Sequence, residues 1–192
     1  MRRLAAILAM ALCLSGPLPR AVAETPVVPE AVAAQSEAMR GLRRFAGTWR
    51  GSAWVVTPQG TKVHFTQTER VGPMQEGTVM VFEGRAYGEG DRLLFNALAM
   101  VAFDAGTGAH TMAAHAMGRL GLFAFTPTDD GFTWEAPAGK GDRVRYTARV
   151  AGDRWHQVGD HLGPGGSRRV FEMDLRRVGS TAWPAQGAVG AR

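Results

Sequence analysis

The chain has 192 residues, a formal net charge of +5, 45% hydrophobic residues and a single cysteine, Cys13. That length makes one ordinary domain with room for a real core, and one cysteine excludes a disulfide scaffold. Past the N-terminal segment no apolar run approaches the ~18 residues of a membrane-crossing helix, so no transmembrane span is expected.

Met1-Arg2-Arg3 is followed by eleven apolar residues from Leu4 to Leu14, by the breakers Ser15, Gly16 and Pro17, and by Ala21-Val22-Ala23 ahead of Glu24. This is the layout of a secretory signal peptide over residues 1–23, and it predicts a periplasmic or secreted protein. Cys13 would leave with it. A lipid-modified cysteine wants a small residue before it, and Leu12 is large, so lipidation is not expected. Cleavage after residue 23 leaves 169 residues without a cysteine, held by their core alone. Arg2, Arg3 and Arg20 depart and no acid does, which lowers the net charge from +5 to +2. The remaining basic residues are scattered, with pairs only at 43–44, 168–169 and 176–177, and no nucleic-acid partner is expected.

Residues 24–29 read as a linker. A helix is predicted over 30–46, with Val32, Gln35, Ala38, Met39, Leu42 and Phe45 on a narrow stripe, Arg40, Arg43 and Arg44 near its C-terminal end, and Gly47 as its stop. Such a narrow-faced helix needs a surface to lie on. From Gly47 the pattern changes. Nine Gly-, Asp- and Pro-rich turns, from Pro58-Gln59-Gly60 to Gly163-Pro164-Gly165-Gly166, separate ten runs rich in Val, Phe, Thr and Trp. No connection is long enough for a crossover helix, so neighbouring strands should pair antiparallel. Ten strands in an open sheet would leave two unpaired edges. An all-β, ten-stranded antiparallel up-and-down barrel over residues 47–178 removes them, and a two-sheet sandwich is the alternative. From Gly179 to Arg192 the alternation stops, which predicts a loose tail; Trp183 has no assigned role in it.

Alternation assigns faces. Trp49, Gly51, Ala53 and Val55 share one side of the first strand. Arg169, Phe171, Met173, Leu175 and Arg177 share one side of the last. If the ring closes, those strands are neighbours, and Arg177 or Arg169 can lie on the indole of Trp49 at the bottom of the barrel. Gly47 and Gly51 would keep the wall open around the ring.

Gly47-Thr48-Trp49 after a short plugging helix, with an arginine late in the last strand, resembles the lipocalin and calycin superfamily. FAGTWRGSAWVV, TERVGPMQEGTVMVFEGRAY, FDAGTGAHTM and FEMDLRRV are more specifically similar to a secreted bacterial lipocalin-like domain family of unknown function. At GTWRG the chain also resembles the nitrobindins, which are haem-binding ten-stranded barrels. The resemblance spans about residues 40–178 and implies a barrel that holds a small molecule, with haem as one form of it.

A ten-stranded barrel is wide enough to keep an interior cavity, so inward polar residues are informative. Val63, Phe65, Gln67, Glu69 and Val71 share the apolar side of strand two, which carries Gln67 and Glu69 inward. A buried carboxylate needs a partner or a raised pKa: Glu69 either pairs with an arginine near the rim or orients a ligand. Phe65, Met80, Phe82, Phe123, Phe125, Trp134 and Tyr146 are expected to line or support the interior, and His115 completes the candidate binding set. His110 and His115 are five apart, as are His156 and His161, so neither pair chelates one metal from a regular strand; a single haem ligand could come from His115, His156 or His161. No nucleophile motif, no zinc-protease motif and no phosphate loop is present, and no catalytic residues are assigned. The expected function is binding of a small apolar or amphipathic ligand. The alternatives are haem binding, an enzyme that uses Glu69 as general base, and a structural role in the envelope. The pattern specifies no oligomeric state.

Overall fold

A computed structural model describes residues 29–186; the expected signal peptide, the linker up to residue 28 and residues 187–192 lie outside it. One helix, α1 (Pro29–Ala38), and a 3-10 turn (Arg40–Phe45) precede ten strands. These are β1 (Gly47–Val56), β2 (Lys62–Met74), β3 (Val79–Tyr87), β4 (Leu93–Asp104), β5 (Ala109–Ala116), β6 (Arg119–Pro127), β7 (Gly131–Gly139), β8 (Asp142–Ala151), β9 (Arg154–Gly163) and β10 (Gly166–Gly179). Each strand pairs antiparallel with the next, and β1 pairs with β10, so the sheet closes into an up-and-down barrel and the sandwich is excluded. The turn chemistry works locally. Met117 and Gly118 both take positive φ, 49° and 77°, as a two-residue hairpin between right-twisted strands requires.

The predicted single helix breaks at Met39. The reason is period. A 3-10 turn repeats every three residues, so Met39, Leu42 and Phe45 eclipse one another and enter the barrel together. All three are fully buried, whereas Val32, from the first part of the stripe, is exposed. The helix is pinned over the bottom of the barrel by Gln35 Nε2, which donates to the Phe103 carbonyl at 3.0 Å, and by a contact of 3.3 Å between His110 Nε2 and the Ala38 carbonyl.

Trp49 lies against this plug. Its indole N–H donates to the Phe45 carbonyl at 2.8 Å, and the Arg177 guanidinium sits 4.0 Å from its ring centroid. Arg177 also donates to the Ala46 and Arg44 carbonyls and pairs with Asp153, tying the last strand to the end of the plug. Gly47 has φ +132°, and a Cβ there would stand 2.7 Å from Arg177 Nη1. The glycine thus admits the arginine rather than the indole. Gly51 serves the sheet: a Cβ would fall 2.0 Å from the Asp174 carbonyl oxygen of β10.

Arg169 is not a second cation for Trp49. The β10–β9 register slips between Arg169 and Phe171, so a bulge reverses the alternation there. Arg169 turns outward and pairs with Asp160 at 2.6 Å, while Phe171 stays inside with Met173 and Leu175. The segment after β10, expected to be loose, is docked at Trp183 and Pro184. Its Trp183 carbonyl packs so close to Gly72 on β2 that a Cβ there would lie 1.8 Å from it, and the Arg70 guanidinium lies 4.3 Å from the Trp183 ring centroid.

Candidate ligand-binding lumen

The interior divides along the barrel axis. In the lower half Phe45, Trp49, Met80, Val101, Trp155 and Leu175 are essentially inaccessible to solvent. Phe45 is the hub: its ring packs on Phe132 and Trp155 at centroid distances of 4.9 and 4.8 Å, and Trp155 meets Trp49 edge-on at 5.7 Å. That end is filled with hydrocarbon.

The upper half is built differently. Register places Gly84 and Ala86 of β3, Ala97 and Ala99 of β4, Ala114 and Ala116 of β5 and Gly121 of β6 on the inner face. A wall of Gly and Ala puts almost no side chain into the lumen. On the β6–β10 side stands an aromatic shelf. Trp134 and Tyr146 stack at 4.4 Å with their planes 13° apart, and Phe123 and Phe171 meet them edge-on at 5.2 and 5.8 Å. These four rings, Phe65 and the wall residues Ala97, Ala99, Ala114, Ala116 and Gly121 are only partly buried although they face inward, so solvent reaches them through the mouth, while Gly84 and Ala86 are buried. Phe95 at the rim is 40% exposed. Burial pushes the Tyr146 phenol above its ordinary range, so it is an uncharged donor at neutral pH.

Below the small wall sits one acid. Glu69 pairs in register with Trp49 on one side and Gly84 on the other. Its carboxyl lies flat on Gly84, where a Cβ would come within 2.8 Å of Oε1. Gln67, itself buried, donates from Nε2 to Glu69 Oε1 at 2.7 Å. No lysine or arginine approaches within ion-pair distance among the described residues, so the arginine-paired reading of Glu69 is corrected. The residue keeps some exposure, yet its carboxyl is dehydrated. Burial raises its pKa to about 8, the bond from Gln67 pulls the other way, and Glu83 adds a smaller upward push. At pH 7 this is a neutral acid held against a backbone.

Among the sequence-derived candidates, Phe65, Phe123, Trp134 and Tyr146 come together on the accessible inner surface, and Gln67 and Glu69 face inward with Gln67 buried. Met80 and Phe125 face inward but belong to the solid floor, and Phe82 packs against it. His115 is misplaced by the sequence reading. It pairs with Leu98 and Leu120 on the outer wall and is exposed, because its neighbours Ala114 and Ala116 take the inner positions. Two further lumen residues escaped notice as binders: Phe171 on β10 and the buried Gln157 on β9. The signal that could have found the lumen is the alternate-position Gly and Ala of β3 to β6.

The histidines do not suit haem. His156 is outside, 3.0 Å from Glu172. His110 faces inward beneath the plug, with its ring against Phe103 at 4.9 Å and its Nε2 at the Ala38 carbonyl. His161 faces inward near the mouth, but its Nε2 is held 3.2 Å from Asp142 Oδ2. None presents a free Nε2 to the lumen. No three His, Cys, Asp or Glu side chains converge as a metal site among the described residues.

No protein-family model matches the chain, and no curated protein matches it. Among solved structures it is similar to the crystal structure of Rv2717c from M. tuberculosis, with a TM-score of 0.55 and 13% identity over 73% of this chain and 96% of that one. At that identity the likeness establishes architecture alone. The chain is a ten-stranded antiparallel up-and-down barrel whose architecture is similar to that of Rv2717c.

Proposed function

We propose that the chain is an exported carrier or sensor that binds one small apolar or amphipathic molecule in the upper lumen. One observation carries the reading: a solid floor lies beneath a half-barrel whose inner wall is Gly and Ala on one side and four partly accessible rings on the other. Concave apolar surface with few fixed polar groups is what small-molecule sites use. The export signature of residues 1–23 supports a location outside the cytoplasm.

The polar groups give the ligand an orientation. The flat rings of Trp134 and Tyr146 take an apolar or aromatic body. Glu69, protonated at neutral pH and already receiving the Gln67 amide on Oε1, has a hydroxyl left to donate to a carbonyl or ether oxygen entering from above. An anionic ligand head would instead remain at the wet mouth, because a second negative charge beside a dehydrated carboxyl is costly.

The test is titration of an environment-sensitive apolar fluorophore, anilinonaphthalene sulfonate, with native mass spectrometry for co-purified ligand. The parent should bind the dye with one-site saturation and quench indole emission. Ala114→Phe, which places a ring in the lumen from the small wall, should abolish binding with the fold intact. Dye binding that survives Ala114→Phe, or a parent that carries no ligand and ignores the dye, would sink the reading.

A further inference from the structure

The outer surface of the barrel carries a second feature. Register sets Arg154, Arg176, Arg50, Thr68 and Arg85 side by side on β9, β10, β1, β2 and β3. In the adjacent row stand Thr48, Arg70 and Glu83. A shallow concavity of about 370 Å³ opens on this face, lined by Arg50, Arg70, Arg85, Thr48 and Thr68 together with Glu83 and Glu69; Arg176 stands outside it, beside Arg50 in register.

The acids nearby are already taken. Glu83 is shared by Arg70 at 2.6 Å and Arg85 at 2.7 Å. Burial works upward on its pKa, but the two arginines outweigh that and hold it below the ordinary carboxylate range. Asp174 is gripped by both nitrogens of Arg154, and its pKa is lowered chiefly by that bond. Arg50 and Arg176 are left directly opposite each other across β1 and β10, with no acid within ion-pair distance among the described residues. Like charges in that relation destabilise a sheet. Elsewhere the wall follows the opposite rule: Arg143 and Arg145 share Glu135, Arg149 meets Asp130 and Arg169 meets Asp160.

We propose that a phosphoryl or sulfuryl oxyanion binds at the Arg50 edge of this concavity, held by Arg50 and its cross-strand neighbour Arg176, with Arg85 and the Thr48 and Thr68 hydroxyls beside it. Guanidinium is a planar fork of donors that matches a tetrahedral oxyanion, and threonine hydroxyls add neutral donors. An anion between Arg50 and Arg176 also relieves their mutual repulsion. Glu83 does not oppose it, because its charge is spent on two arginines, and Glu69, its pKa raised to about 8 by burial, is uncharged at neutral pH. The strand alternation that sends Phe65 and Gln67 inward sends Arg50, Thr68 and Arg85 outward.

The experiment is isothermal titration of the full chain with inorganic pyrophosphate at low ionic strength, alongside co-sedimentation with phosphatidylglycerol vesicles. One saturable pyrophosphate site is expected. Arg50→Ala with Arg176→Ala should weaken it by about tenfold or more, the loss of charge-assisted hydrogen bonds. Arg143→Ala with Arg149→Ala, which removes the same charge from a wall where each arginine has an acid, should leave affinity unchanged. Because Arg50 and Arg176 repel, their double variant should melt no lower than the parent; Thr68→Val, which keeps every charge, should weaken binding by about threefold and guards against a folding artefact. Vesicle binding that needs Arg50 and Arg176, without pyrophosphate binding, would identify a lipid headgroup as the source of the oxyanion. Equal weakening by both double variants, or no saturable binding of either probe, overturns the proposal.

Discussion

The two halves of one lumen obey opposite rules. Below, the plug inserts Met39, Leu42 and Phe45 among two tryptophans and two phenylalanines, and nothing is left for a ligand. Above, the same strands offer Gly84, Ala97, Ala99, Ala114 and Gly121, and the rings that remain face each other across one side only. The barrel therefore gains its stability at one end and leaves the other open to solvent. An ordinary globular core is close-packed throughout; this one stops halfway.

Removing the hub of the floor should have the largest effect. Phe45→Ala, a fully buried ring in contact with three others, should destabilise by about 3–5 kcal/mol in urea unfolding. A loss below 1 kcal/mol would mean the plug is not part of the core, and the contrast between the halves would fail.

Glu69→Gln tests the boundary between the halves, with the opposite sign. A carboxyl whose folded pKa lies near 8, against 4.5 as its reference value, binds more protons in the native state than in the unfolded chain. Its protonated form is fully accommodated below about pH 4.5, and stability then falls as pH rises through the window up to about 8. Glu69→Gln should remove that slope and raise stability at pH 7 by about 2–4 kcal/mol, measured as urea midpoints across pH 4–9. An unchanged pH profile would show that the carboxyl is hydrated or paired, and the oriented-ligand reading would lose its deep polar anchor.

Arg177→Met asks how the floor is tied to the closing strand. The variant keeps the stem and loses the cation over Trp49 and the bonds to the Ala46 and Arg44 carbonyls. A cost of about 2 kcal/mol is expected by thermal or chemical unfolding, with no change in dye affinity. Trp134→Ala should do the reverse. It removes one ring of the shelf at a partly accessible position, so stability should fall by less than for Phe45→Ala, about 1–2 kcal/mol, while dye affinity drops strongly. If Trp134→Ala behaves like Phe45→Ala, the shelf is core and the upper lumen is not a site.

How much of this was legible depended on contrast between faces. Strand two could be read because Val63, Phe65 and Val71 alternate with Lys62, His64 and Arg70, and that parity carried Gln67 and Glu69 to the correct side. Strand β5 could not. Its outer neighbours Leu98, Met100, Leu120 and Leu122 are apolar and 45–74% exposed, so hydrophobicity does not distinguish inside from outside there. His115 was misassigned for that reason. Arg169 failed differently, because a bulge moved it to the other face without leaving a mark that a periodic reading detects. Trp183 lies beyond the last strand, and its role depends on Gly72, far away in the chain.

The amino-acid order by itself determined the number of strands, their antiparallel pairing, the helical start and the meeting of Trp49 with an arginine of the last strand, because turn chemistry, alternation and the avoidance of open edges act over a few residues or follow from strand count. Only the tertiary structure decided which half of the lumen is filled, that Glu69 has no cation beside it, and that Arg50 faces Arg176. Those facts depend on register between strands distant in sequence and on the depth to which the plug descends. Both are settled by packing of the whole ring at once.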